Sequence, residues 1–158
     1  MNPSHARTLR DLLRTQEVGA LGTLHEGEPY VSMVPFALRP GSTDFIIHVS
    51  QLAAHTKDML THPQVSLLVI APPSPAVTAQ ELARITVQGD AVQLARGMPE
   101  HAAARAAYLT RFPQSEMMFG FGDFSLFAIV PRSIRFVGGF AQATTLSPQT
   151  LAGVLGEA

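Results

Sequence analysis

Four side chains able to grip an anion fall within eight residues: Ser50, His55, Thr56 and Lys57. They lie in the run Ser50-Gln-Leu-Ala-Ala-His-Thr-Lys-Asp-Met-Leu-Thr-His-Pro63, between the apolar segments Phe45–Val49 and Val65–Ile70. That order predicts a strand, a hydroxyl-rich turn, a short helix, a proline stop and a buried strand. A turn leading into a helix start presents backbone N–H groups beside a hydroxyl, an imidazole N–H and an ammonium, the donor set of a phosphate cradle. Ordinary capping by Ser50 or Thr56, with Lys57 in solvent, uses the same residues. Spacing alone leaves both readings open.

Three further segments carry weaker signals. Arg84 opens an apolar strand and suits either a bidentate anion or a surface acid. Val31-Ser32-Met33-Val34 runs into Pro35, which has no N–H and marks an edge or bulged strand. Main-chain groups left free there suit a planar heteroaromatic ring, and a plain edge strand explains them equally. Gly138-Gly139-Phe140 reads either as a hairpin end or as a close backbone approach to a ligand. The six histidines, at 5, 25, 48, 55, 62 and 101, show no i, i+4 helical pair with a carboxylate companion, so no metal site is expected. Phosphate-loop, dinucleotide and nucleophile-elbow motifs are absent from the chain.

These groups need a scaffold. An amphipathic helix is expected over about 4–15, with Ser4 as its cap and Leu9, Leu12 and Leu13 on one face. Strands follow over 18–24 and 29–38, joined by a turn at His25-Glu-Gly27-Glu, then over 45–49 and 64–71. Residues 84–94 alternate as a long strand with Gly89 at a bulge or bend, and a short helical turn is expected near 78–83. Pro99 opens an alanine-rich helix to 111, Met117–Gly122 reads as a mobile segment, and strands follow over 124–130 and 134–137. Ser147-Pro148 caps a last short helix over about 147–156. About seven strands joined mainly by short turns, without βαβ alternation, predict a mainly β (α+β) domain: an antiparallel barrel with peripheral helices.

Composition narrows the classes. With 158 residues, 46% hydrophobic and 15% charged, the chain reads as one well-packed domain over 1–158. A net charge of −1 gives no general pull toward nucleic acid or an anionic membrane. The absence of cysteine excludes disulfides, thiolate catalysis and Cys-type zinc sites. No segment has the apolar length of a membrane span or a secretory signal core, and a cytoplasmic location is expected.

Several segments in order carry a resemblance: Gly22-Thr-Leu, Gly27-Glu-Pro-Tyr-Val-Ser32 with Pro35-Phe36, Ser50–Thr56, Pro63-Gln-Val-Ser-Leu-Leu, Arg84 with Gly89-Asp-Ala, Tyr108–Pro113, Gly122-Asp-Phe124 and Gly138–Ala143. The chain resembles the FMN-binding split-barrel superfamily related to pyridoxamine 5′-phosphate oxidase, most closely its haem-utilisation, HugZ-like branch. The resemblance implies a six-stranded split barrel that forms a homodimer with FMN at the interface. It places His55, Thr56 and Lys57 at the FMN phosphate, Val31, Ser32, Met33 and Val34 along the isoalloxazine, and Arg84 near flavin or phosphate. Gly139 and Phe140 would reach in from the partner subunit.

Ala53-Ala54-His55 stands where pyridoxamine phosphate oxidases carry Ser-Arg-Lys, and Ala143-Thr144-Thr145 where they carry Arg-Leu-His, so that activity itself is not expected. The expected function is an FMN-dependent oxidoreductase acting with a small-molecule substrate or electron donor. Two alternatives stand beside it: a haem-binding or haem-utilisation protein with a histidine on iron, and a non-catalytic flavin-binding or interaction barrel.

Overall fold

A computed structural model describes residues 1–156; the last two positions of the domain expected over 1–158 lie outside them. In chain order the elements are α1 (Pro3–Thr15), β1 (Val18–His25), β2 (Glu28–Pro35), β3 (Ala37–Leu38), β4 (Phe45–Ser50), α2 (Ala54–Thr61) and β5 (Gln64–Ile70). They continue with β6 (Arg84–Gln93), α3 (Pro99–Arg111), β7 (Phe124–Val137), β8 (Ala143–Leu146) and α4 (Pro148–Gly156). Short 3₁₀ segments cover Ala79–Glu81 and Pro113–Gly120. The second of these replaces the mobile segment expected at Met117–Gly122.

The strands form one antiparallel sheet in the order β2-β1-β5-β6-β7-β4-β3, with β8 added to β7. β2 and β3 stand at opposite ends of that order, yet Phe36 alone separates them in the chain. The sheet therefore has to curl until its two edges meet, which makes it a barrel split beside Phe36. Pro35 ends β2 without a donor, and the Phe36 N–H goes instead to the Glu17 carbonyl at 3.0 Å. Eight strands replace the six expected because two short ones, β3 and β8, extend the sheet.

Alternation along the strands fills the barrel. Leu21, Phe45, Ile47, Leu67, Ile85, Val87, Ile129 and Phe136 point inward, and Leu9, Leu12 and Leu13 of α1 join the same core. The α1 cap is Asn2 rather than Ser4: its side chain accepts from the His5 N–H at 2.8 Å, and Pro3 fits the first turn. A second core forms on the outer side of β4 and β7, where Ile46, Leu126 and Ala128 meet Ala104, Tyr108 and Phe112 of α3 and its end.

The strands expected over 124–130 and 134–137 are one strand, β7. Pro131 is tolerated because a bulge interrupts the ladder there: Gln88 faces Ser133 while Gly89 faces Pro131, leaving Arg132 extra. Gly89 is required at this point, since a Cβ would sit 2.3 Å from the Val130 carbonyl oxygen.

Candidate functional site

Strand parity divides the β1–β2 hairpin into two chemically different faces. Leu21 pairs with Ser32, Thr23 with Tyr30 and His25 with Glu28, so Thr23, His25, Tyr30 and Ser32 share one face. Helix α2, docked against β1, brings His55 and Asp58 to that face. Val31 and Met33 turn the other way, 68% and 63% exposed.

Asp58 is the centre of the polar cluster. One carboxylate oxygen accepts from the Thr23 hydroxyl at 2.9 Å and the other lies 2.8 Å from His25 Nδ1. Its side chain is only 6% exposed, against 44% for His25. Burial alone would raise the Asp58 carboxyl, but the hydrogen bonds from His25 and Thr23 outweigh it and hold the group below the usual range. The same hydrogen bond and charge raise the His25 imidazole. His55 Nδ1 meets the Ser32 hydroxyl at 3.1 Å, and burial lowers its affinity for a proton against the pull of Asp58.

Most side chains of the anion turn are hydrogen-bonded within the chain. Thr56 is fully buried and donates its hydroxyl to the Ser50 carbonyl at 2.6 Å. Ser50 donates to Asp123 at 3.0 Å and accepts from the Leu52 N–H. Ala53 occupies the α2 cap and offers no side-chain oxygen. Of the four residues, Lys57 alone presents an exposed cation.

Arg84 is engaged in closing its own loop, donating to the carbonyls of Gln80 and Leu82 at 3.2 and 2.9 Å. Gly139 lies in the turn between β7 and β8, where Gln142 N–H bonds the Gly139 carbonyl, and Phe140 is 70% exposed. Arg84 pairs with Val137, whereas Ser50 pairs with Phe124 at the opposite end of β7. Within one chain, then, Ser32 and His55 come together, while Arg84, Gly139 and Phe140 stand far from them. Val34 points into the barrel core. A concavity of about 920 Å³ between α1, α3 and α4 holds none of these residues.

Sequence reasoning missed Thr23, His25 and Asp58. Parity puts Thr23 and His25 on one face of β1, but nothing local says that α2 will pack over that face.

With this geometry in place, comparison with known proteins becomes informative. The family described as pyridoxamine 5′-phosphate oxidase matches residues 6–138. The chain belongs to this family. Among its relatives, the chloroplastic non-canonical heme oxygenase HOZ of Arabidopsis thaliana is 38% identical over 143 residues, covering 89% of this chain and 42% of that protein. The heme oxygenase HutZ of Vibrio cholerae is 29% identical over 129 residues, covering 80% of this chain and 71% of that one. The structure of a heme binding protein from Mycobacterium smegmatis superposes with a TM-score of 0.84 at 29% identity, over 97% of this chain and 62% of that one. The chain thus spans less than half the length of the first of these relatives.

These relatives overturn the expected FMN-dependent oxidoreductase: their names carry haem binding and haem oxygenation. At the turn, Thr56 and Ser50 are bonded within the protein, and Lys57 is its exposed cation. No helix among the described residues is long and apolar enough to cross a membrane.

Proposed function

We propose that this protein binds haem and acts in haem breakdown as a member of the oxygenase-like branch of its family. The observation that carries the reading is the 38% identity over 143 residues with a haem oxygenase. The residues present fit the group. Two imidazoles, His25 and His55, flank a shielded carboxylate at the edge of the sheet, beside the part-exposed ring of Tyr30. Exposed Lys57 adds a cation suited to a carboxylate of the ligand. Bound haem supplies iron redox chemistry that no side chain here can. The chain's own part is to hold the macrocycle, orient an imidazole and keep a charged carboxylate next to it.

The test is titration of the purified chain with ferric haem, followed by dioxygen and an external reductant. Uptake with a shifted Soret band, then its loss with release of an open-chain tetrapyrrole, is the expected result. Absence of uptake would end the haem reading. Uptake without ring opening would reduce it to binding.

We also propose a homodimer. Val18, Val31, Met33 and Ile70 are exposed, and the pairings of Ala20 with Met33 and with Leu68 put them on one outer sheet face. A second copy of that face would bury it, as stable interfaces bury roughly 1,200–2,000 Å². Sedimentation should show a dimer that Met33→Lys dissociates; a wild-type monomer at micromolar concentration would refute this. A cytoplasmic location, argued above from sequence, is proposed with it and is read by cell fractionation.

A further inference from the structure

We propose that the concavity between α1, α3 and α4 binds a small carboxylate with an aliphatic body, such as a medium-chain fatty acid, with Arg111 and Arg14 recognising the carboxylate. Its walls share no residue with the haem reading above, and the inference does not rest on that reading.

The cavity exists because of what one face of α3 lacks. Ala104, Tyr108 and Phe112 turn toward β4 and β7, whereas Ala103, Ala106, Ala107 and Thr110 fall on another side of the same helix. No side chain in that second set is larger than threonine, so they leave open the space toward Leu13 of α1 and Leu155 of α4. The result is a concavity of about 920 Å³. Clefts that hold small organic molecules measure roughly 300–1,000 Å³ and combine apolar walls with a few polar groups. Here the apolar walls are aliphatic, with no aromatic ring among the described residues that line them, which suits an alkyl chain better than a planar one.

The charges around the cavity have one sign. Arg14, Arg39 and Arg111 line it, and no Asp or Glu among the described residues does. Arg39 is already paired with Asp44 at 2.7 Å, and Arg14 stands exposed in the last turn of α1. Arg111 is the least satisfied of the three. It donates to the Gln16 carbonyl and lies over the Phe36 ring at 5.4 Å, and its Nε is buried without a hydrogen-bond partner. Burial disfavours its charged form and the charge of Glu17 favours it, yet a guanidinium stays protonated in either case. A carboxylate supplies the missing counter-charge and accepts paired N–H bonds from such a fork, while its chain lies along the alanine face. The C-terminal ends of α1, α3 and α4 also reach the cavity, each bringing roughly half a negative charge. Arg111 covers the α1 end through Gln16, and a neutral apolar guest is the competing occupant that the experiment must separate.

Calorimetric titration of the full chain with decanoate and with decanol, at low and at moderate salt, makes that separation. Wild type should bind decanoate at one site, at least tenfold more tightly than decanol, with affinity falling as salt rises. Arg111→Gln should weaken decanoate more than tenfold and leave decanol unchanged. Because Arg111 also holds the Gln16 carbonyl, the exposed Arg14→Gln gives a second reading: several-fold weaker decanoate binding at an unchanged Tm. Ala106→Phe, which fills the cavity from an exposed position on α3, should abolish binding of both probes in a folded protein and leave haem uptake at the wild-type level. No decanoate binding at millimolar concentration, equal affinity for decanol, or binding untouched by the two arginine changes or by Ala106→Phe would overturn the proposal. Loss of haem uptake in Ala106→Phe would overturn it as well, by placing the carboxylates of haem in the cavity. Failure of wild type to take up haem counts against the haem reading alone.

Discussion

His48 makes the stability of this fold depend on pH in a way that can be worked out from its surroundings. Alternation on β4 sends Ile46 and His48 outward, beneath α3 and the 3₁₀ segment, while Phe45, Ile47 and Val49 face the barrel. The imidazole stacks on Phe119 with centroids 3.9 Å apart and planes 9° from parallel, and Tyr108 meets it edge-on at 5.7 Å. Its Nδ1 is buried without a hydrogen-bond partner. Burial foremost, with His101 and Arg96 adding repulsion, lowers its affinity for a proton from the ordinary 6.5 to about 4.

The unfolded chain therefore binds a proton here that the folded protein refuses, and stability falls as pH falls from 6.5 toward 4. At about 1.4 kcal/mol per tenfold difference, the loss between about pH 8 and about pH 5 is roughly 2 kcal/mol. His48→Phe keeps an aromatic ring against Phe119 but cannot take up the proton. Urea denaturation of both proteins at the two pH values reads the term, since the variant lacks this one titrating ring. The variant should lose about 2 kcal/mol less stability on acidification than wild type. Equal pH dependence in the two would refute the argument that this imidazole is held neutral by its packing.

Three more outcomes follow from particular contacts. Gly89→Ala, whose Cβ would lie 2.3 Å from the Val130 carbonyl oxygen, should destabilise the fold by about 2–4 kcal/mol, read as a lowered Tm. Thr56→Val keeps the buried shape but removes one of the two donors to the Ser50 carbonyl, leaving the Ala53 N–H, and should cost about 0.5–1.5 kcal/mol in urea denaturation. The His25–Asp58 pair has its own pH window. The raised His25 contributes fully below 6.5 and fades as pH climbs through its folded value, and the lowered Asp58 contributes above 3.8 and fades as pH drops through its own. Asp58→Asn should therefore destabilise most between those limits, and a loss that is flat with pH would contradict the ion pair.

Local signals in the chain were enough to place its elements. The leucines at 9, 12 and 13, the alternation through 84–93, the bulge at Gly89 and the proline-started helix at 99 are each written within a dozen residues, because helix and strand periods are local properties. So, in outline, was the barrel, since short turns between strands force antiparallel neighbours. The candidate site was only half written. Ser32 and His55 were legible as polar residues in the right segments, but their meeting at 3.1 Å depends on α2 crossing the hairpin. The same docking turns Asp58 from an unremarked helix residue into the shielded partner of His25, thirty-three positions away. Thr56 and Arg84 ran the opposite way: their types promised anion contacts, and the turns beside them engaged both with backbone carbonyls two to six residues away. The sequence by itself determined which segments become strands and helices and which side chains each face carries. Only the tertiary structure decided which faces meet, because a hydrogen bond between distant residues depends on packing that no local period encodes.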